Sequence, residues 1–142
     1  MNISSKGRYA LRTMLDLAVY NTGEPVRLKD IAHRQDISEK YLEQIFSLLN
    51  KAGLVNSVRG ANGGYYLSRP ADKYTVGEIL RVTEGSLSPV ACVESDDCAR
   101  KMFCATNILF KKLDDAISDV VDKTTLADLV DWDRTVATDY II

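Results

Sequence analysis

Three residues, Asp36-Ile37-Ser38, separate two stretches of helical pattern, and this short turn restricts the fold more than any other feature of the chain. Upstream, Leu28 to Gln35 reads as a short helix with Ile31 and Ala32 turned inward. Downstream, Glu39 to Ala52 places Leu42, Ile45, Phe46 and Leu49 on one face and Lys40, Glu43, Gln44, Ser47 and Lys51 on the other. Ser38 can accept from the free amides that open this second helix, and Gly53 ends it. Two helices joined by so few residues carry the signature of a helix-turn-helix. His33, the single histidine, falls on an outward position with no cysteine near it in sequence and reads as an exposed polar residue.

The flanks extend the pattern. Ser4 or Ser5 can cap a first helix whose apolar residues, Tyr9, Ala10, Leu11, Met14, Leu15, Leu17, Ala18 and Val19, cover too wide a surface for a single stripe, so it is expected to pack on two sides. Asn21 to Pro25 reads as a turn, and Val26 and Leu28 as a strand or lead-in. After Gly53, Val55 to Val58 alternates as a strand, Arg59-Gly60-Ala61-Asn62-Gly63-Gly64 forms a loop rich in residues that tolerate positive φ, and Tyr65 to Ser68 alternates again. The expected fold is mainly α with a small β-hairpin, the hairpin standing as a wing directly after the helix-turn-helix.

The polar face of the Glu39 helix has the chemistry to read a duplex: Gln44 can address adenine, Glu43 can accept from cytosine N4, and Lys40 or Tyr41 can hold phosphate. Arg59, flanked by glycine at the hairpin tip, has the length and charge to enter a minor groove, and Arg69 could add a phosphate contact. Charge is distributed accordingly. Residues 1–70 carry ten Lys and Arg against six Asp and Glu, and residues 71–142 carry eight against fourteen, so a net charge of -2 hides a basic first half suited to a polyanion. The chain lacks the apolar region of a secretory signal and any run long enough to span a membrane, which predicts a cytoplasmic protein with no membrane partner.

All three cysteines fall between Cys92 and Cys104, spaced Cys-x5-Cys-x5-Cys. An odd number of thiols in a reducing compartment favours metal binding or thiol chemistry over a structural disulfide. Zinc sites grip the ion with close Cys pairs two to four residues apart, which are missing here, whereas a wider loop suits a two-iron centre. A cluster, a thiol switch, zinc and inert cysteines all remain open on spacing. No Cys-x-x-Cys, nucleophile-base pair or phosphate cradle is present, which argues against an enzyme.

Around this loop, Thr75-Val76-Gly77-Glu78 reads as a capping box that opens a helix closed by Gly85. A long helix follows over Ala105 to Asp122. Its Leu109, Leu113, Ala116 and Val120 are spaced 4, 3, 4 beside Ile108, Ile117 and Val121, a seam expected to pack along another helix and suited to a two-fold interface. Thr124 or Thr125 caps a short last helix over TLADLV, and the tail from Trp132 carries no clear pattern. The chain thus divides into a winged helix-turn-helix region, 1–84, a cysteine-rich loop, 85–104, and a dimerisation helix with tail, 105–142.

With SSKGRYALRTMLDLA, ISEKYLEQIFSLLNKAGLVNSVRGANGGYYLS, TVGEIL and the three cysteines on the page, the chain resembles the winged-helix regulator family that contains the iron-sulfur regulator IscR, the nitric oxide sensor NsrR and the cysteine-metabolism regulator CymR, over residues 1 to about 131. The IscR-like members match best. That resemblance implies a homodimer on a double-stranded DNA operator, with a recognition helix from Ser38 to Lys51 and a wing carrying Arg59 and Gly60. It also implies a [2Fe-2S] cluster on Cys92, Cys98 and Cys104, supplied by the iron-sulfur assembly machinery, and control of cluster-biogenesis genes. The other family branches imply instead a cluster-free, thiol- or nitric oxide-responsive regulator of cysteine or redox metabolism. IscR-like proteins place a histidine ligand three residues after the last cysteine, where this chain has Asn107. The fourth donor is then Asn107 itself, a carboxylate of Glu94, Asp96 or Asp97, solvent, or a group of the partner subunit. A carboxylate at the start of the partner's first helix, the NsrR-like route, has no counterpart, because nothing acidic precedes Asp16.

Overall fold

A computed structural model describes residues 2–141, with side chains through residue 138; Met1 and Ile142 lie outside the described residues. The elements run α1 (Ser5–Val19), α2 (Leu28–Gln35), α3 (Glu39–Lys51), β1 (Val55–Val58), β2 (Gly64–Leu67), α4 (Val76–Glu84), α5 (Ala105–Lys123) and α6 (Leu126–Ile141), with single 3-10 turns at Ala71–Lys73, Ala91–Val93 and Lys101–Phe103. As its wide apolar surface requires, α1 packs on several sides, against α2, α3, α4, α6 and β2. Ser4 caps it by accepting from the Gly7 amide at 3.2 Å.

The turn between α2 and α3 works through three different residues. Asp36 takes the left-handed conformation (φ 53°), which a short polar side chain tolerates. Ile37 is buried with Ile31, Leu42, Ile45, Phe46 and Leu49, which anchors the turn to the core. Ser38 caps α3 by accepting from the Tyr41 amide at 3.2 Å. Sequence alone placed these boundaries closely because each is set by a local residue type.

The wing is the antiparallel pair β1 and β2, with Val55 opposite Leu67 and Val58 opposite Gly64. Val26 adds a one-residue third strand, exchanging two 2.8 Å backbone hydrogen bonds with Tyr65. The Tyr65 ring stacks on Phe46 of α3 with centroids 3.8 Å apart, so the wing is fastened to α3. A second fastening is Tyr74, fully buried, whose hydroxyl donates to the Leu54 carbonyl at 2.6 Å and accepts from the Arg69 amide at 3.0 Å.

Three expectations change. Arg69 does not reach outward for phosphate: its guanidinium donates to the Lys73 carbonyl (2.9 Å) and to Glu78 (2.6 Å) and lies 4.3 Å from the Tyr74 ring. The last helix does not stop after Val130 but continues to Ile141, because Leu126 and Leu129 seat it in the core while Trp132 and Val136 continue on its exposed side. The α5 seam divides into two faces. Ile117 and Val121 pack into a small second core with Val76, Leu80, Leu87 and Ile3, whereas Ile108, Leu109, Leu113 and Val120 stay exposed. Arg81 and Asp122 fasten α4 to α5 with contacts of 2.5 and 3.1 Å.

Candidate nucleic-acid interface and cysteine loop

The candidate reading surface comprises α3, the wing and the segments that open α1 and α2. Ser38, Lys40, Glu43, Gln44 and Ser47 are exposed along α3, and Arg59 and Gly60 are exposed on the wing. Tyr41 differs: it is half-buried, edge-on to Tyr9 with centroids 5.7 Å apart, and so partly committed to packing. Gly60 has φ 110°, a conformation a Cβ would disfavour, which lets the wing tip turn beside Arg59.

Two open grooves flank the helix. One is lined by Arg27, Glu43, Ser57, Arg59, Gly60 and Tyr65, and joins α3 to the wing. The other is lined by Lys6, Lys40, Glu43, Gln44, Ser47 and Leu48, and joins α3 to the first turn of α1. Four cations, Lys6, Arg27, Lys40 and Arg59, therefore stand around a single acid, Glu43, the balance expected of a surface that meets phosphate and admits one acceptor to base edges. Lys6 and Arg27 escape a reading of the sequence, since nothing local distinguishes them from other surface cations until the fold sets them beside α3.

The cysteine loop lies at the other end of α4. Cys92 is half-buried in the 3-10 turn Ala91–Val93, Cys98 is exposed, Cys104 occupies the N-cap position of α5, and all three thiols are free. Asn107, in the first turn of α5, turns its amide toward Cys92, donating to the Cys92 carbonyl at 3.4 Å with the Cys92 sulfur at 3.7 Å. The Cys104 thiol is pulled below its usual pKa, chiefly by the Thr106 hydroxyl 3.0 Å away and then by the Asn107 backbone amide. Glu94 accepts from Ser86 at 2.5 Å and Asp96 pairs with Lys101 at 2.9 Å, so two of the carboxylates considered as fourth ligands already have partners.

Among the described residues no three metal-ligating side chains stand together. The donor chemistry nevertheless fits an iron-sulfur centre: three soft sulfur donors on one short loop, with Asn107 drawing Cys92 to the helix whose N-cap position Cys104 occupies. Ligation by all three requires the loop to bring its thiols closer together.

The sequence profile of the Rrf2 family, described as an iron-dependent transcriptional regulator, matches residues 3–132. The chain belongs to the Rrf2 family. Among its relatives, the HTH-type transcriptional regulator IscR of Erwinia tasmaniensis is 45% identical over 130 residues, covering 92% of this chain and 79% of that protein. CymR of Bacillus subtilis, the global cysteine regulator, is 45% identical over 132 residues, covering 93% of this chain and 91% of that protein. Its solved structure superposes with a TM-score of 0.81, over 93% of this chain and 98% of that one. T. potens IscR, 44% identical, superposes with a TM-score of 0.75 over 92% and 87%. This Rrf2 protein is thus a DNA-binding transcriptional regulator of winged-helix fold, a regulator and not an enzyme. No helix among its described residues is long and apolar enough to cross a membrane.

Proposed function

We propose that this Rrf2 regulator senses iron-sulfur status through a [2Fe-2S] cluster held by Cys92, Cys98 and Cys104, and that it controls genes of cluster biogenesis from the cytoplasm. The observation that carries the reading is the placement of three thiols on one loop between α4, which packs on the DNA-reading core, and α5. When bound, the cluster supplies an occupancy- and redox-dependent charge at this loop. The protein does the rest. Cys92 and Cys104 hold the two ends of the loop near the first turn of α5, where Asn107 donates its side-chain amide to the Cys92 carbonyl and its backbone amide to the Cys104 carbonyl. Ordering of residues 92–104 then biases α4 and α5, and with them the spacing of two readers in a homodimer on a DNA operator. The iron-sulfur assembly machinery is the donor in this reading.

Anaerobically purified protein is expected to be brown, with visible absorption and about two irons and two sulfides per chain. Its affinity for a duplex selected from random DNA by the protein itself should change when the iron is removed. A colourless, iron-free product after reconstitution overturns the reading. A second reading, a cluster-free thiol or nitric oxide switch, draws on Asn107 standing at a histidine position, on the activated Cys104 and on equal likeness to IscR and CymR relatives. It predicts that oxidant titration of the metal-free protein alters DNA binding, and that replacing the cysteines by alanine abolishes the response.

A further inference from the structure

The first turn of α1 has no acidic residue of its own, and the carboxylate that faces it comes from the far end of α4. Glu84 Oε1 accepts from the Ser4 amide at 3.0 Å and from the Ser4 hydroxyl at 2.6 Å, while the same hydroxyl accepts from Gly7. A Cβ built on Gly7 would overlap Glu84 Oε1, so the missing side chain at this position is the space the carboxylate occupies. A carboxylate aimed at a helix N-terminus meets free N–H groups and the positive end of the macrodipole. The turn so held carries Lys6, which lines the groove beside Lys40, Gln44 and Ser47. On its other side Glu84 precedes Gly85 and Ser86, and Ser86 donates to Glu94, two residues beyond Cys92.

We propose that Glu84 is a positioning residue for DNA binding: by gripping Ser4 across Gly7 it sets the first turn of α1, and Lys6 with it, against the operator backbone. The inference rests on the DNA-reading part of the proposed function and not on the cluster. DNA affinity then depends on the last residue of the helix that leads into the cysteine loop, which gives that loop a route to the reader two residues long.

The test uses full-length, metal-free protein and a labelled duplex selected from random DNA by the wild type, with affinity followed by anisotropy across a salt series. Lys6→Ala should weaken binding by roughly three- to tenfold and lower the slope of log affinity against log salt by about one. Glu84→Ala should reproduce both effects, and the Lys6→Ala, Glu84→Ala pair should be no worse than either alone. Gly7→Ala, which favours helix by intrinsic propensity, should still weaken binding by displacing Glu84. A loss of packing alone would not move the salt slope. Wild-type affinity and slope in Glu84→Ala, or losses that multiply in the double variant, overturn the proposal. Absence of colour or iron in the purified protein bears only on the cluster and leaves this test intact.

Discussion

Asp16 is the one buried charged side chain among the described residues, and its surroundings account for it. Its carboxylate accepts from Arg34 Nε at 3.0 Å, from a terminal Arg34 nitrogen at 2.7 Å and from Gln35 Nε2 at 3.0 Å. Arg34 also lies 3.9 Å from the Tyr20 ring centroid, so its flat guanidinium is used on both its edge and its face. The cluster fixes α2 on α1, and α2 in turn sets where α3 lies. Because Arg34 is partly exposed and Asp16 is not, Arg34→Ala leaves a buried carboxylate with Gln35 as its remaining side-chain donor. We expect a loss of roughly 2–4 kcal/mol in urea denaturation, somewhat below a fully buried broken pair. Arg34→Lys should recover only part of it, since an ammonium cannot reproduce the fork. A change under about 0.5 kcal/mol for Arg34→Ala would show that water replaces the pair at no cost.

At the scale of elements, the wing is rigid at its base and open at its tip. The Phe46–Tyr65 stack, the Val26 bridge and the buried Tyr74 hydroxyl hold the base, while Arg59 is exposed with no ion-pair partner among the described residues. Arg59→Ala should therefore leave stability within about 0.5 kcal/mol while weakening DNA binding chiefly at sites with A·T-rich minor grooves. Equal affinity of wild type and variant on such a duplex would reject a minor-groove role for the wing. Helices α1 and α4 share one construction. Each has a glycine early in its first turns, Gly7 or Gly77, over which an acidic side chain from another helix lies, Glu84 in the first case and Asp122 in the second. Together these two contacts link α5 to α4 and α4 to α1, the order in which the proposed change at the cysteine loop would travel toward Lys6.

For the molecule as a whole, one unanswered apolar surface is on α5. A helix of 19 residues without one buried side chain is poorly used by a monomer, and Ile108, Leu109, Leu113 and Val120 are 62%, 54%, 44% and 64% exposed. A second copy of the chain is the occupant that the homodimer proposed above would place there. Leu113→Asp should shift sedimentation from dimer toward monomer and lower operator affinity by more than tenfold, since each half-site then binds alone. A variant that still sediments as a dimer would place the two-fold contact elsewhere.

Much of this protein was legible before any coordinate. The helix-turn-helix, the wing, and the Ser38 cap and Gly53 stop of its central helix follow from residues close together in sequence. Ser38 acts through its hydroxyl on the amides of its own helix, Asp36, Gly53 and the glycine-rich loop through their own backbone, and the periodicity of α3 reports its own buried face. The family likeness rests on the same stretches. What the sequence could not say concerns groups far apart along the chain. It did not place Lys6 and Arg27 beside α3, turn Arg69 away from DNA toward Glu78, carry α6 to Ile141, or split the α5 seam between α4 and solvent. Nor did it place Glu84 on the first turn of α1, 80 residues earlier. Those outcomes depend on which helix ends meet in space, and a side chain's chemistry does not reveal its partner until packing of the core has brought the two together.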